Sequence, residues 1–126
     1  MLQGQCLCQA VTFSIHEPPV RVSHCHCRIC QRQHGAAFAT YLSVPYASLQ
    51  LTEIAALRWY RSSPDVLRGF CQHCGSSLFW HHQHEPDNLI AVAVAALDNP
   101  PVFGEIRHLC VDERAPWCPC VEPNSV

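Results

Sequence analysis

Short alternations of apolar and polar residues recur along the chain. Val11, Phe13 and Ile15 alternate with polar neighbours, which is typical of a half-buried strand. The longest apolar run, over residues 89–97, predicts a buried strand near the centre of a sheet. No segment has the apolar spacing of a long amphipathic helix. The pattern therefore predicts an all-β or β-rich fold.

Turn-forming residues separate the remaining predicted elements. Further strands are expected at 20–24, 36–44, 57–61, 66–70, 77–82 and 103–111. The polar stretch 28–34 predicts one short helix, which Gly35 can end in the left-handed conformation. A single helical turn is expected within 46–51. Cys110 falls within the last predicted strand, and we expect it to be buried there.

Three cysteines lie close together as Cys25, Cys27 and Cys30, in the spacing C-x-C-x-x-C. Alternate residues of an extended strand point to one face, roughly 6.6 Å apart, so Cys25 and Cys27 can share a point. A turn after Cys27 can bring Cys30 to the same point. Three thiolates favour a tetrahedral zinc ion, and a free fourth position is typical of a catalytic or ligand-binding site.

The alternative is a closed, structural site built on the same three cysteines. The fourth ligand would then be His24, His26, His34 or a cysteine near the C-terminus. The spacing alone leaves both alternatives open.

Two further cysteine pairs stand at a distance from this stretch. Cys6 and Cys8 can share a strand face in the same way. Cys71 and Cys74 form a zinc-knuckle sequence with Gly75, which permits the tight turn that points backbone N–H groups at the sulfurs. Joined, the two pairs would make a closed Cys₄ site that ties the N-terminal strand to a hairpin and contributes to folding.

The chain has 126 residues, 10 cysteines and 9 histidines, and its formal net charge is −2. The length predicts one domain, and the charge predicts neither nucleic acid nor an anionic membrane as a partner. The N-terminus lacks a signal-peptide pattern, and the longest apolar run is too short to cross a bilayer. We therefore expect a cytoplasmic protein, in which clustered cysteines favour metal over disulfides. Cys118-Pro119-Cys120 is either inert or a labile redox pair, and we favour the inert interpretation.

The order of these motifs resembles the glutathione-dependent formaldehyde-activating enzyme family, which includes the centromere protein V relatives. The matching motifs are Gly4-x-Cys6-x-Cys8, Cys25-His26-Cys27-x-x-Cys30 with Gly35, and Phe70-Cys71-x-x-Cys74-Gly75-Ser76. Further similar positions are Tyr60-Arg61-Ser62-Ser63, Leu97-Asp98, His108 and Pro116-Trp117. The resemblance predicts a single domain over residues 1–117, followed by an irregular tail at 118–126.

The resemblance implies a β-tent fold of stacked antiparallel sheets that holds two zinc ions per chain. The implied structural zinc has the ligands Cys6, Cys8, Cys71 and Cys74. The implied second zinc has the ligands Cys25, Cys27 and Cys30. The implied activity is that of a carbon–sulfur lyase with glutathione as co-substrate, which condenses glutathione with formaldehyde or a related aldehyde to S-hydroxymethylglutathione.

Glutathione carries two carboxylates, which arginine side chains can bind bidentately. The candidate contacts are Arg28, Arg32, Gly35, Arg61 and Ser62, with Arg58, Arg68 and Ser63 as further candidates. The expected partners are a small-molecule thiol and an aldehyde. Two other functions stay open: a glutathione or thiol carrier without catalysis, and a zinc-stabilised interaction module.

Overall fold

The protein, described here by a computed structural model over residues 1–118, is built mainly of short strands. The strands are Leu2–Gln5 (β1), Thr12–Ile15 (β2), Arg21–Cys25 (β3), Ala39–Pro45 (β4), Leu49–Glu53 (β5), Leu57–Ser63 (β6), Val66–Cys71 (β7), Ser77–His82 (β8), Leu89–Ala93 (β9) and Arg107–Leu109 (β10). The α-helix is Arg28–His34 (α1), and short 3₁₀ turns lie at Tyr46–Ser48, Val94–Ala96 and Val111–Glu113.

These strands form two sheets. A three-stranded antiparallel sheet has the order β1-β2-β5, and a seven-stranded sheet has the order β10-β3-β4-β9-β8-β7-β6. Neighbours in the large sheet run antiparallel, except that β10 runs parallel to β3. The predicted all-β class with stacked sheets is confirmed, and the strand with the longest apolar run, β9, lies in the middle of the large sheet.

The main core lies between the two sheets. Phe13 of β2 meets Phe79 of β8 there, with ring centroids 5.1 Å apart. Leu42 of β4 also points into this core and is fully buried. Because side chains alternate along a strand, the neighbouring Tyr41 lies on the opposite face, where it packs in a second cluster with Cys30. Both faces of β4 are therefore covered, which explains its nearly continuous apolar sequence.

Helix α1 begins inside the three-cysteine stretch. Cys27 is its N-cap residue, and the Cys27 sulfur accepts a hydrogen bond from the Cys30 N–H at 3.3 Å. Gly35 ends the helix with φ 64° and donates its N–H to the Gln31 carbonyl, which confirms the predicted left-handed cap. The N-cap hydrogen bond at Cys27 therefore couples the start of α1 to the positions of the Cys27 and Cys30 sulfurs.

The predicted strand over 89–97 is too long. Pairing between β9 and β4 ends at Ala93 opposite Tyr41, and the chain then turns through the 3₁₀ segment Val94–Ala96. Leu97 instead makes an isolated bridge to Gly4 of β1. The end of the apolar run therefore joins the small sheet to the large one.

The predicted strand over 103–111 is also too long, because only Arg107–Leu109 pairs with β3. Cys110 has φ 57°, in the left-handed region, and this turn ends the strand. The prediction that Cys110 is buried is wrong: its side chain is exposed. Pro119 and Cys120 lie outside the described residues, and the predicted domain boundaries stay a prediction. Over residues 1–118, no helix has the length and apolar character needed to span a membrane.

Candidate metal centre

Four cysteines from distant parts of the sequence converge in space. Cys6 and Cys8 follow β1, Cys71 ends β7, and Cys74 lies in the turn between β7 and β8. Their four sulfurs lie within 4.8 Å of one another. Cys8 Sγ is 3.7 Å from both Cys6 Sγ and Cys71 Sγ. A tetrahedron with zinc–sulfur bonds of about 2.3 Å has edges of about 3.8 Å, so this group can hold such an ion.

Hydrogen-bond donors surround these sulfurs. The Val11 N–H donates to Cys6 Sγ at 3.3 Å, and Ser76 Oγ lies 3.2 Å from Cys74 Sγ. The Ser76 hydroxyl is the main cause that lowers the pKa of Cys74 to about 5. Gly75 supplies the φ of 78° that the turn requires. Donors of this kind stabilise the thiolate, which is the form that binds metal.

Three sulfurs form a second group, as the C-x-C-x-x-C spacing predicts. Cys25 ends β3, Cys27 caps α1, and Cys30 lies in the first turn of that helix. Their ligand atoms lie within 4.8 Å of one another. Among residues 1–118, no further histidine, cysteine or carboxylate joins this group within that distance. The group can hold a metal ion and leaves a tetrahedral position open.

The histidines considered as a fourth ligand have other partners. His24 Nδ1 lies 2.7 Å from a threonine hydroxyl, and His26 Nε2 lies 2.9 Å from His108 Nδ1. His34 Nε2 lies 2.7 Å from the Tyr41 hydroxyl. In the part of the chain that the structure describes, the geometry therefore favours the open site over a site closed by histidine.

A cavity of about 330 Å³ opens beside the three sulfurs. Its walls come from the outer face of the large sheet, from the start of α1 and from the end of β10. The arginines and serines that line it are Arg21, Ser23, Ser43, Ser62, Ser63 and Arg68, and Tyr41, Trp80 and Cys110 line it as well. Among the described residues that line it, none is acidic. Two arginines without a carboxylate favour an anionic small molecule in this cavity.

Arg68 is the most unusual residue of this wall. Its side chain is only 3 % exposed. Both terminal guanidinium nitrogens donate towards Cys30 Sγ, at 3.6 and 3.7 Å, and Nε donates to Ser62 Oγ at 3.0 Å. Among the described residues, no carboxylate forms an ion pair with Arg68. A buried cation needs a counter-charge, so the arrangement indicates that Cys30 carries a negative charge.

The thiol pKa values agree with this assignment. A hydrogen bond from Cys25, and then the charge and hydrogen bonds of Arg68, lower the pKa of Cys30 although burial opposes them. The pKa of Cys25 is raised, first by the same hydrogen bond with Cys30 and then by burial. In the metal-free protein Cys30 therefore ionises first. Its contribution to stability is present above the ordinary thiol pKa and is lost as the pH falls through its lowered value.

Replacing Arg68 with methionine should raise the pKa of Cys30 in reduced protein that keeps zinc in the four-sulfur group but has no metal in the three-sulfur group, because the neighbouring cation is removed. The midpoint of Cys30 alkylation against pH, followed by mass spectrometry, should move upward, and labelling at pH 7 should slow several-fold. Arg61→Met is the matched control, since Arg61 is exposed and bonds to no sulfur. An equal midpoint in both variants would contradict the role of Arg68.

The predicted glutathione contacts are separated in space. Ser62 lines the cavity beside the three sulfurs. Arg28, Arg32 and Gly35 line a different depression of about 160 Å³. Arg61 donates to a backbone carbonyl and to a glutamine side chain on the surface. Contact of these residues with glutathione stays a prediction.

Sequence reasoning missed several residues of the cavity wall. Arg21 and Ser23 alternate with Cys25 along β3, so the strand period places the three on one face. That signal was available in the sequence. Tyr41 and Trp80 lie in apolar runs that indicate only burial, and no sequence signal distinguishes them from core residues.

Comparison with known proteins gives three findings that cover most of the chain. The family model of the glutathione-dependent formaldehyde-activating enzyme matches residues 1–113. A protein of Halomonas elongata, provisionally named glutathione-dependent formaldehyde-activating enzyme, is 28% identical over 124 residues, which is 93% of this chain and 79% of that protein. An uncharacterized lyase of Schizosaccharomyces pombe is 31% identical over 116 residues, which is 89% of this chain and 80% of that protein.

A solved structure supports the fold in the same way. The crystal structure of a Rhodobacter sphaeroides protein superimposes with a TM-score of 0.66 at 24% sequence identity. The match covers 84% of this chain and 98% of that chain. At this identity the likeness concerns the arrangement of the strands alone.

Proposed function

Since the chain belongs to the glutathione-dependent formaldehyde-activating enzyme family, we propose that it is a zinc-dependent carbon–sulfur lyase. It would add the thiol of glutathione to formaldehyde, or to a related aldehyde, and form S-hydroxymethylglutathione. The observation that carries this proposal is the three-sulfur group with an open position beside a cavity that is lined by two arginines and no acid. A cytoplasmic location stays a prediction.

The proposal assigns one zinc ion to each cysteine group. Cys6, Cys8, Cys71 and Cys74 would hold a structural ion, because a full tetrahedral shell leaves no place for substrate. Cys25, Cys27 and Cys30 would hold the second ion. When bound there, zinc lowers the pKa of an incoming thiol and presents it as the thiolate. Metal analysis of the purified protein should find close to two zinc ions per chain.

The residues of the cavity would bind and orient the thiol substrate. A divalent ion with three thiolates carries one net negative charge, which would disfavour a further thiolate. The buried Arg68 cation offsets this charge from its place beside Cys30. Arg21 lies on the same strand face as Cys25, where its guanidinium can bind a substrate carboxylate. The cavity volume of about 330 Å³ lies at the lower end of the range of small-molecule sites.

Calorimetry with the zinc-loaded protein tests whether the cavity binds a thiol. Glutathione at millimolar concentration should release or absorb measurable heat, whereas S-methylglutathione should bind much more weakly because its sulfur cannot become a thiolate. No heat with glutathione would reject both an enzyme and a thiol carrier, and would favour the interaction module.

Exchange NMR with ¹³C-formaldehyde and glutathione then separates an enzyme from a carrier. The zinc-loaded protein should increase the rate of S-hydroxymethylglutathione formation above the spontaneous rate, in proportion to protein concentration. Binding without such an increase would identify a carrier.

A further inference from the structure

A hydrogen bond between Tyr41 and His34 crosses the wall of the candidate site. Tyr41, on β4, is 6 % exposed and lines the cavity beside the three cysteines. His34, the last residue of α1, lines a separate open groove of about 720 Å³. The Tyr41 hydroxyl lies 2.7 Å from His34 Nε2, and the two rings meet edge to face. The pair therefore connects the inner cavity with the groove.

Both side chains are neutral and can exchange protons. A tyrosine hydroxyl has an ordinary pKa of about 10, so the Tyr41 hydroxyl keeps its proton at neutral pH. Burial, and then the charge of Arg68, lower the pKa of His34 to about 4, so its ring has one N–H and one free nitrogen at neutral pH. Within residues 1–118, His34 Nδ1 has no hydrogen-bond partner, and this atom is not fully buried. The ring can therefore take or release a proton at Nδ1 while Nε2 faces Tyr41.

We propose that Tyr41 is the proton donor to the aldehyde oxygen in the addition of a thiol to an aldehyde, and that His34 is its proton relay to solvent in the groove. This inference rests on the proposed function. Tyr41 would be a catalytic residue, because it lines the cavity where the aldehyde reacts, and His34 would be a positioning residue that acts through Tyr41.

The proton balance of this reaction closes through the pair. The thiol loses its proton when it becomes the nucleophile, and that proton leaves through Tyr41 and His34 to the groove. The sulfur then attacks the carbonyl carbon, a carbon–sulfur bond forms, and the π electrons of the C=O bond move to oxygen. Tyr41 gives its proton to this oxygen, takes the Nε2 proton of His34, and His34 regains a proton at Nδ1. No oxidant or reductant is needed, and the pair returns to its starting state.

The variant Tyr41→Phe tests the donor. Phenylalanine keeps the buried ring and removes only the hydroxyl, so the fold should be retained. We expect kcat for S-hydroxymethylglutathione formation, measured by exchange NMR, to fall about 100-fold, the lower end of what general acid catalysis contributes, with KM for glutathione unchanged. The matched control is Tyr46→Phe, because Tyr46 also contacts a histidine, His81, but is exposed and lines no part of the cavity.

The variant His34→Gln separates relay from support. The glutamine amide can keep a hydrogen bond to the Tyr41 hydroxyl but cannot pass a proton between two atoms. A relay predicts a fall in kcat of about 10-fold or more, whereas a merely structural role predicts the wild-type rate. In the zinc-loaded protein without substrate, ¹⁵N NMR of His34 should show one ring tautomer in the wild type and a mixture in Tyr41→Phe.

These outcomes distinguish the relay from the proposed function itself. If the wild-type protein does not accelerate the addition, the proposed function is rejected and the relay with it. If the wild type is active and Tyr41→Phe matches Tyr46→Phe, the relay alone is overturned. A wild-type rate in His34→Gln, with a slow Tyr41→Phe, would overturn the role of His34.

Discussion

Replacing Cys71 with serine is expected to leave the protein unable to fold. Cys71 is fully buried and belongs to the four-sulfur group that ties the loop after β1 to the β7–β8 hairpin. Zinc in such sites contributes about 10–16 kcal/mol at neutral pH, which is comparable with the whole stability of a domain, about 5–15 kcal/mol. A serine oxygen is a poor substitute for the thiolate. Most of that contribution should therefore be lost.

Circular dichroism and metal analysis would check this expectation for Cys71→Ser. The variant should lack a cooperative thermal transition or should collect in the insoluble fraction, with little bound zinc. Cys110→Ser is the matched control for folding, because Cys110 is exposed and lies outside the four-sulfur group. A soluble Cys71→Ser protein with the wild-type melting temperature would rule out a structural role for the four-sulfur site.

Replacing Cys27 with serine is expected to give the opposite result: a folded protein without activity. Cys27 is the N-cap of α1, and its sulfur accepts the Cys30 N–H. Serine is among the preferred N-cap residues, so the helix should keep its first hydrogen bond. The three-sulfur group, however, loses a soft ligand. Zinc content should fall from about two ions to about one per chain, and the catalysed addition should drop to the spontaneous rate.

The comparison with Cys27→Ala isolates the two roles of this residue. Alanine removes both the ligand and the cap, so it should cost about 1 kcal/mol more in the free energy of unfolding than serine does. Urea denaturation measures that difference, while exchange NMR should find both variants inactive. Wild-type turnover in Cys27→Ser would exclude the three-sulfur group as the site of reaction.

Sequence reasoning was strongest where the chemistry is local. The spacing of Cys25, Cys27 and Cys30 predicts their convergence because strand geometry and one helical turn determine it over a few residues. The left-handed Gly35 cap is a similarly local feature. Cys6 and Cys8 lie far in the sequence from the β7–β8 hairpin. Their convergence with Cys71 and Cys74 could still be predicted, because each pair supplies two of the four ligands that a structural zinc ion needs.

Features that depend on the packing of distant strands could not be predicted. Arg68 and Tyr41 become cavity residues only because β7 and β4 lie in the same sheet, with two strands between them. Cys110 was misjudged because the apolar pattern around it continues, whereas the backbone turns into the left-handed region. Three residues of parallel pairing, at Arg107–Leu109, give too short a signal to separate a strand from a loop.

The alternation of side chains along β4 has a consequence for how this scaffold can diversify. Leu42 packs in the main core, while its neighbours Tyr41 and Ser43 line the cavity beside the three cysteines. Selection for a different ligand in the cavity can therefore act on every second position without disturbing the residues that make the protein stable. Such a division lets one rigid framework give rise to relatives with different chemical preferences.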